Sequence, residues 1–197
     1  MTILAVARDA RGGVAFGTDS GVFRGSLVSR AGEKSITLGA WIMLTTGTLR
    51  VRSYLRDLWD EHDGSSDTAR HGLFTDPIDP ERSAQRIAAA LWSLHKRDGL
   101  AEQRGPDLST DYGVVAVHRP TGRFWYLDGL GAACEHDPYL CVGAGEDMAS
   151  AAVDVLLRHG PFMRAETLVS RALETACALH THCAAPVHVH TLKEPER

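Results

Sequence analysis

Stretches of the chain with a strand-like apolar pattern and stretches with a helical one occur in blocks along the sequence. The predicted order is four strands, two helices, about three strands, two helices and a final strand. Because strands and helices do not alternate, a doubly wound α/β fold is disfavoured. Two sheets, each covered by a pair of helices, would bury every apolar face. The predicted fold class is therefore α+β, a four-layer αββα sandwich of two antiparallel sheets.

The individual elements follow from short apolar runs, turn residues and helical stripes. Asp79 and Pro80 are typical of a helix N-cap and first helical position, and the apolar residues of that helix then recur with a helical period. A polar segment over 20–33 and two loops, 63–78 and 97–111, separate the elements. The predicted strands are 2–8, 14–19, 35–38, 41–46, 112–118, 123–128, 140–145 and 187–192, and the predicted helices are 48–63, 79–99, 146–160 and 164–180.

Length and charge limit the classes of function. A chain of 197 residues is most simply one domain, here 1–197, and a net charge of -4 gives no basic surface for nucleic acid. No apolar run is long enough to cross a bilayer, and no signal peptide precedes the first strand, so we expect a cytoplasmic protein without a membrane partner. The four cysteines show no paired spacing and are predicted to be small buried hydrophobes.

Four residues near the N-terminus form an ordered set that resembles the proteasome β-subunit family. They are Thr2 on the first strand, Asp19 in GTDS, Lys34 in GEKS and Gly47 in TTGT. The VGAGEDMASAA and ALETACAL segments are similar to the corresponding regions of bacterial relatives such as the HslV peptidase. The resemblance spans nearly the whole chain and implies an N-terminal nucleophile (Ntn) hydrolase.

That resemblance implies a mechanism as well as a fold. A threonine hydroxyl needs a base to take its proton, and the α-amine of a first-residue threonine titrates near neutral pH, at roughly 7.7–8.0. By resemblance, Lys34 would sit beside Thr2, Asp19 would hold Lys34 in place and keep it charged, and the Gly47 N–H would stabilise the oxyanion. The implied substrate is a peptide or unfolded protein, bound as an extended strand. The implied assembly is a ring or related homo-oligomer, and nothing in the sequence identifies an ATPase partner.

Three features depart from the family pattern. Ala144 stands where active subunits carry a serine, and Ala178 falls where the last helix offers an aspartate, which favours a non-catalytic structural protein as the alternative. The opening letters also allow Met1, not Thr2, to take the nucleophile's place, although counting back from Asp19 favours Thr2. Activation would then rest on removal of Met1. A non-proteolytic amidohydrolase on the same nucleophile is a third possibility.

Two further motifs raise the question of bound groups. Gly143 and Gly145 precede a helix but lack the Gly-Lys-Ser/Thr of a phosphate loop, so a tight turn is favoured. His188 and His190 are two apart on a predicted strand and point to one face, near three other candidate ligands in the sequence (His180, His182 and Cys183). A zinc or nickel site and a groove or subunit contact are both open, and the second is favoured. We expect no cofactor and no metal.

Overall fold

A computed structural model describes residues 2–24, 27–30, 34–47, 50–63, 72–75, 79–100, 102–104, 107–109, 112–160 and 162–192. The strands are β1 Ile3–Arg8, β2 Val14–Asp19, β3 Gly21–Arg24, β4 Leu27–Arg30, β5 Ser35–Leu38, β6 Trp41–Gly47, β7 Glu102–Arg104, β8 Asp107–Ser109, β9 Tyr112–His118, β10 Phe124–Leu127, β11 Ala133–His136, β12 Tyr139–Gly143 and β13 Val187–Thr191. The helices are α1 Arg50–His62, α2 Pro80–Arg97, α3 Glu146–His159 and α4 Ala165–Leu179.

The chain divides into two compact units. The first contains Met1–Ser35 and His136–Arg197, and its main sheet has the order β12-β1-β2-β13, with every ladder antiparallel. Strand β1 is buried on both faces of its sheet, since its residues from Ile3 to Ala7 are each no more than 1 % exposed. One apolar cluster joins alternate residues of β1 to α3 and α4; its buried members include Ile3, Ala5, Ala7, Ala149, Val153, Leu168, Ala172 and Ala176.

The close approach of α4 to β2 depends on Gly17. A Cβ at this position would lie 2.5 Å from the His188 carbonyl oxygen and 2.9 Å from a methyl group of Leu173. A side chain would therefore displace either β13 or α4. Small residues on the sheet and on α4 thus set the spacing of this layer.

The second unit, Ile36–Glu135, holds a five-stranded sheet in the order β11-β10-β9-β6-β5, with α1 and α2 packed against its apolar cluster. The predicted N-cap of α2 is observed, since the Asp79 carboxylate accepts a hydrogen bond from the Arg82 N–H at 3.0 Å. A turn at Gly39, with φ +54°, connects β5 to β6. Buried members of the cluster include Trp41, Met43, Leu55, Leu58, Ile87, Leu91, Val114, Ala116 and Trp125.

Three predictions about local structure were wrong. The segment 20–33, expected to be irregular, contains the antiparallel pair β3–β4, and the loop expected over 97–111 contains β7–β8. Strand β11 was not predicted at all. These strands are only three or four residues long, so their apolar pattern is too short to distinguish from a loop, and backbone ladders define them.

Two apolar positions are exposed. Leu179, in phase with the apolar stripe of α4, is 65 % exposed and is the last residue of the helix. Cys134 is exposed, whereas Cys141 and Cys183 are buried as predicted and Cys177 is half-buried; all four cysteines are free. Among the helices within the described ranges, none has the length and hydropathy needed to span a membrane.

Candidate active site

Three of the four predicted site residues meet at one end of the first unit's sheet. Asp19 is the last residue of β2, Thr2 directly precedes β1, and Lys34 directly precedes β5. The Lys34 Nζ lies 2.7 Å from Thr2 Oγ1 and 2.8 Å from Asp19 Oδ1. The structure therefore brings Thr2, Asp19 and Lys34 into direct contact, with the Thr2 hydroxyl hydrogen-bonded to the Lys34 ammonium.

Asp19 is fully buried, and its carboxylate is completely satisfied. Oδ1 accepts hydrogen bonds from the Ile3 N–H at 3.2 Å and from Lys34. Oδ2 accepts from the Gly21 N–H at 3.0 Å and from the Ala184 N–H at 3.1 Å. Four donors match the four acceptor positions of an ionised carboxylate. Asp19 is thus held as a fixed negative charge beneath the nucleophile candidate.

Lys34 has three acceptors for its three N–H bonds. Besides Thr2 Oγ1 and Asp19 Oδ1, the Nζ donates to the Gly21 carbonyl at 2.5 Å. Burial lowers the pKa of Lys34 below its usual value of 10.5, while the hydrogen bond to Asp19 and the Asp19 charge act in the opposite direction. The Asp19 carboxylate at 2.8 Å favours the charged lysine, and the ammonium form can donate all three hydrogen bonds.

This arrangement is suited to activating a hydroxyl. An ammonium that donates to Thr2 Oγ1 stabilises developing negative charge on that oxygen, and it does so with little solvent screening because Lys34 is only 8 % exposed. Asp19 fixes the ammonium in place through a buried ion pair. The site can therefore stabilise an alkoxide at Thr2 without a metal.

Gly47 ends β6 in the second unit, where its φ is +83°. In the β6–β9 register, Gly47 is opposite Tyr112. The expected oxyanion role of Gly47 stays a prediction. Met1 lies outside the described residues, so its removal stays a prediction as well.

The turn before α3 supports Thr2 through the backbone. The Ala144 N–H donates to the Thr2 carbonyl at 3.0 Å, which continues the β1–β12 ladder, and the Ala144 carbonyl accepts from Cys183 Sγ at 2.9 Å. The next residue, Gly145, has φ +76°, and a Cβ there would lie 3.1 Å from the Cβ of His180. The predicted tight turn is therefore present, and a glycine is needed in it.

The segment after the last helix contacts the site, but through a different residue from the one expected. Ala178, expected in the place of the family's aspartate, is exposed, and the residue of this region that contacts Asp19 is Ala184. Sequence reasoning also missed Ser20, which follows Asp19 and is 2 % exposed. Its position directly after a buried aspartate was the only signal for it.

His188 and His190, on the last strand, make contacts within this chain. His188 Nε2 lies 2.9 Å from Ser20 Oγ, and the His190 ring stacks on Phe16 with ring centroids 5.5 Å apart. Both residues lie on β13, which pairs with β2, and their two-residue spacing places their side chains on one face of the strand, as predicted. Within the described part of the chain, no group of three or more His, Cys, Asp or Glu residues is arranged to hold a metal ion.

Comparison with solved structures identifies the fold. The chain matches BPH from Thiobacillus denitrificans, with a TM-score of 0.76 and 16 % sequence identity over 98 % of this chain and 100 % of that one. The fold is that of the proteasome-like Ntn hydrolases. HslV from Trypanosoma brucei (TM-score 0.68, 17 % identity, 98 % of this chain and 100 % of that one) also has this fold. The Gly-1 mutant of Anbu from Hyphomicrobium sp. strain MC1 has this fold too, with a TM-score of 0.70 and 18 % sequence identity over 96 % of this chain and 80 % of that one.

These matches confirm the predicted fold class and the structural resemblance to proteasome-like Ntn hydrolases. Searches by sequence gave no support of this kind, since no family model matches the chain and no curated protein matches it. The likeness thus concerns the fold, and the chemistry of this chain has to be argued from its own residues.

Proposed function

We propose that the protein is a threonine-dependent peptidase or amidohydrolase of the proteasome-like kind, with Thr2 as its nucleophile after removal of Met1. The observation that carries this proposal is the 2.7 Å hydrogen bond from the buried Lys34 ammonium to Thr2 Oγ1, with Asp19 bonded to the same ammonium. The fold supports it, because this chain shares the architecture of BPH, which has been solved in complex with epoxomicin.

The proposed reaction follows from the three side chains. The Thr2 hydroxyl attacks the substrate carbonyl carbon, and its proton passes to the α-amine that Met1 removal would free, directly or through water. Lys34 stabilises the negative charge on Oγ1 as the bond forms. The C–N bond then breaks, the amine leaves with the proton, and water hydrolyses the acyl-enzyme to return Thr2. We assign the oxyanion contact to the Gly47 N–H.

We further propose that the substrate is a peptide or unfolded protein and that the chain works in the cytoplasm as a homo-oligomer, in a ring or related assembly. The resemblance in fold supports the assembly. Four free cysteines are compatible with a reducing compartment. No ATPase partner is proposed.

A non-catalytic role is the second candidate, and one observation favours it. Ala144 has no hydroxyl to offer the nucleophile, although its backbone holds Thr2 in place. A fold that retains assembly surfaces without chemistry would tolerate this alanine.

Hydrolysis of a fluorogenic peptide panel distinguishes the two candidates. We expect the wild-type protein to cleave at least one peptide, Thr2→Ala to lose activity by about 10³-fold or more, and Thr2→Ser to retain part of it. Because Thr2→Ser keeps a hydroxyl at the same position, it controls for disruption of β1. Equal residual rates in wild type and Thr2→Ala would contradict the enzyme and favour the structural role, and cleavage of simple amides without peptides would indicate a non-proteolytic amidohydrolase.

A further inference from the structure

The loop between α4 and β13 contacts the candidate site at two points. We call residues 183–186 the strap. Within it, the Ala184 N–H donates to Asp19 Oδ2 at 3.1 Å, and Cys183 Sγ donates to the Ala144 carbonyl at 2.9 Å. The strap is thus the segment that joins the buried aspartate to the turn before α3.

Ala144 links the Cys183 thiol to the nucleophile candidate. Its carbonyl accepts from the thiol, while its N–H donates to the Thr2 carbonyl at 3.0 Å. The thiol is therefore two hydrogen bonds away from the backbone of Thr2. A shift of the Ala144 peptide would move the Thr2 backbone, and with it the Oγ1 that faces Lys34.

The thiol is in the right state to act as a donor. Burial raises the pKa of the Cys183 thiol to about 12, so the sulfur keeps its proton across the physiological range. Cys183 is 7 % exposed and belongs to the apolar cluster of the first unit. An aliphatic side chain here would fill the same space but would leave the buried Ala144 carbonyl without this donor.

The remainder of the strap is anchored independently of Cys183. The Ser20 N–H donates to the Ala184 carbonyl at 3.0 Å, and the Ser20 hydroxyl donates to the Pro186 carbonyl at 2.5 Å. Since the hydroxyl hydrogen is used there, His188 Nε2 must donate to Ser20 Oγ at 2.9 Å. The Cys183 thiol therefore projects from a segment that is itself held in place.

We propose that Cys183 is a positioning residue that holds the Ala144 turn, and through it Thr2, in the place that the reaction needs. This inference rests on the proposed function of Thr2. In this chain, the Cys183 thiol would give the support to Thr2 that the methyl side chain of Ala144 cannot supply. Displacements of about 1 Å in a reacting group can lower a rate by about 100-fold, so loss of one weak hydrogen bond can have a measurable effect.

Cys183→Ala and Cys183→Ser test the proposal, with Cys141→Ala as the matched control. Cys141 is another buried thiol of the same apolar cluster, and burial raises its pKa to about 12, but it lies in β12. We expect Cys183→Ala to lower kcat on the best fluorogenic peptide, and the rate of Thr2 labelling by epoxomicin, by roughly 10- to 100-fold with KM within about twofold. Cys183→Ser should recover most of the rate, and Cys141→Ala should match wild type.

Two results would overturn the proposal: Cys183→Ala reacting as fast as wild type, or Cys183→Ser being no better than Cys183→Ala, since packing alone would then explain the loss. Should Cys183→Ala fail to fold in a thermal melt, Cys183→Val fills the same space without a donor and is compared with Cys183→Ser. We expect Cys183→Val to lose kcat while keeping KM, and a kcat equal to that of Cys183→Ser would contradict the proposal.

The proposed function can fail separately. A wild-type protein that neither cleaves peptides nor reacts with epoxomicin would contradict the assignment of Thr2, and a positioning role in that reaction would fall with it. Hydrogen exchange at the Ala144 amide would still report on the thiol. We expect exchange to be at least about tenfold faster in Cys183→Ala than in Cys183→Ser, and equal exchange would show that the thiol does not hold the turn.

Discussion

At the scale of single residues, the candidate site is a buried ion pair used to hold an ammonium against a hydroxyl. An unpaired aspartate in this position would be costly, but Asp19 has four donors and Lys34 has three acceptors. Every hydrogen-bonding position of both charges is therefore in use. Thr2 Oγ1 is the one side-chain hydroxyl among the acceptors of Lys34, so the electrostatic effect of the pair is directed at that oxygen.

The pH dependence of the reaction should report the state of Lys34. A lysine carries its charge below its pKa, and burial lowers the pKa of Lys34 from 10.5, so we expect kcat to fall with rising pH along a limb centred below pH 10.5. Asp19→Asn removes the negative charge of Asp19, which raises this pKa. The limb should then move to lower pH, and the maximum of kcat should drop by about 100-fold or more.

The pH–rate profile of wild type and Asp19→Asn provides the measurement, with circular dichroism at each pH to confirm that both proteins remain folded. An alkaline limb that is unchanged in Asp19→Asn would show that the ion pair does not control the titration. The Lys34 ammonium would then have no part in the proposed chemistry.

At the scale of elements, strand ends and turns place the site residues, and helices provide the support. Asp19 ends β2, Thr2 directly precedes β1, and the turn before α3 holds the Thr2 carbonyl through the Ala144 N–H. Helix α4 approaches β2 closely over Gly17. A substitution far from these strand ends should therefore change the stability of the fold without changing the rate of the reaction.

Asp79→Ala tests that separation at the N-terminus of α2. The Asp79 side chain caps the helix by accepting the Arg82 N–H, so we expect a loss of about 1 kcal/mol in the free energy of unfolding and a decrease of about 2–4 °C in Tm. Asp79→Asn retains an acceptor and should stay close to wild type in a thermal melt. Peptidase activity below the transition should be the same in all three proteins, and an Asn variant as unstable as the Ala variant would contradict the capping assignment.

The sequence predicted the long elements and the contacts of the site better than it predicted the short strands. Helices α1 to α4 and the strands of the two main sheets other than β11 follow from apolar periodicity. By contrast, the β3–β4 and β7–β8 pairs are too short for a periodic pattern to identify. Thr2, Asp19 and Lys34 meet, as the resemblance to the proteasome β-subunit family implied.

The supporting contacts of the site could not be predicted for a physical reason. The bond from the Ala184 N–H to Asp19 is made by backbone, which carries no residue signature. The Cys183 contact is made by a residue whose usual role in a core is apolar packing. Ala178 was the expected neighbour of the site. The helix ends one residue later, and the contact with Asp19 is made instead by Ala184 of the strap.

At the scale of the whole molecule, the shared fold raises the question of assembly. The matches to BPH and HslV each cover 98 % of this chain. The single-domain organisation over 1–197 stays a prediction. A compartment that encloses the site would restrict Thr2 to unfolded or short substrates. Quaternary structure would therefore determine substrate class as much as the residues of the site do.

Size-exclusion chromatography with light scattering tests the proposed homo-oligomer. We expect a single species whose mass is a multiple of the 21.4 kDa protomer, and we expect peptidase activity to elute with it. Thr2→Ala should assemble to the same mass, because Thr2 is buried and its side chain is bonded to Lys34 within the protomer. A clean monomer that carries the full activity would contradict a chambered enzyme.

The most direct test of the central claim is intact-mass spectrometry before and after treatment with epoxomicin, with Thr2→Ala as the control. We expect a protein that lacks Met1 and gains one adduct, located on Thr2 by peptide mapping, while Thr2→Ala gains none. A protein that retains Met1 completely and forms no adduct, or one that is labelled equally in the Thr2→Ala variant, would contradict Thr2 as the nucleophile.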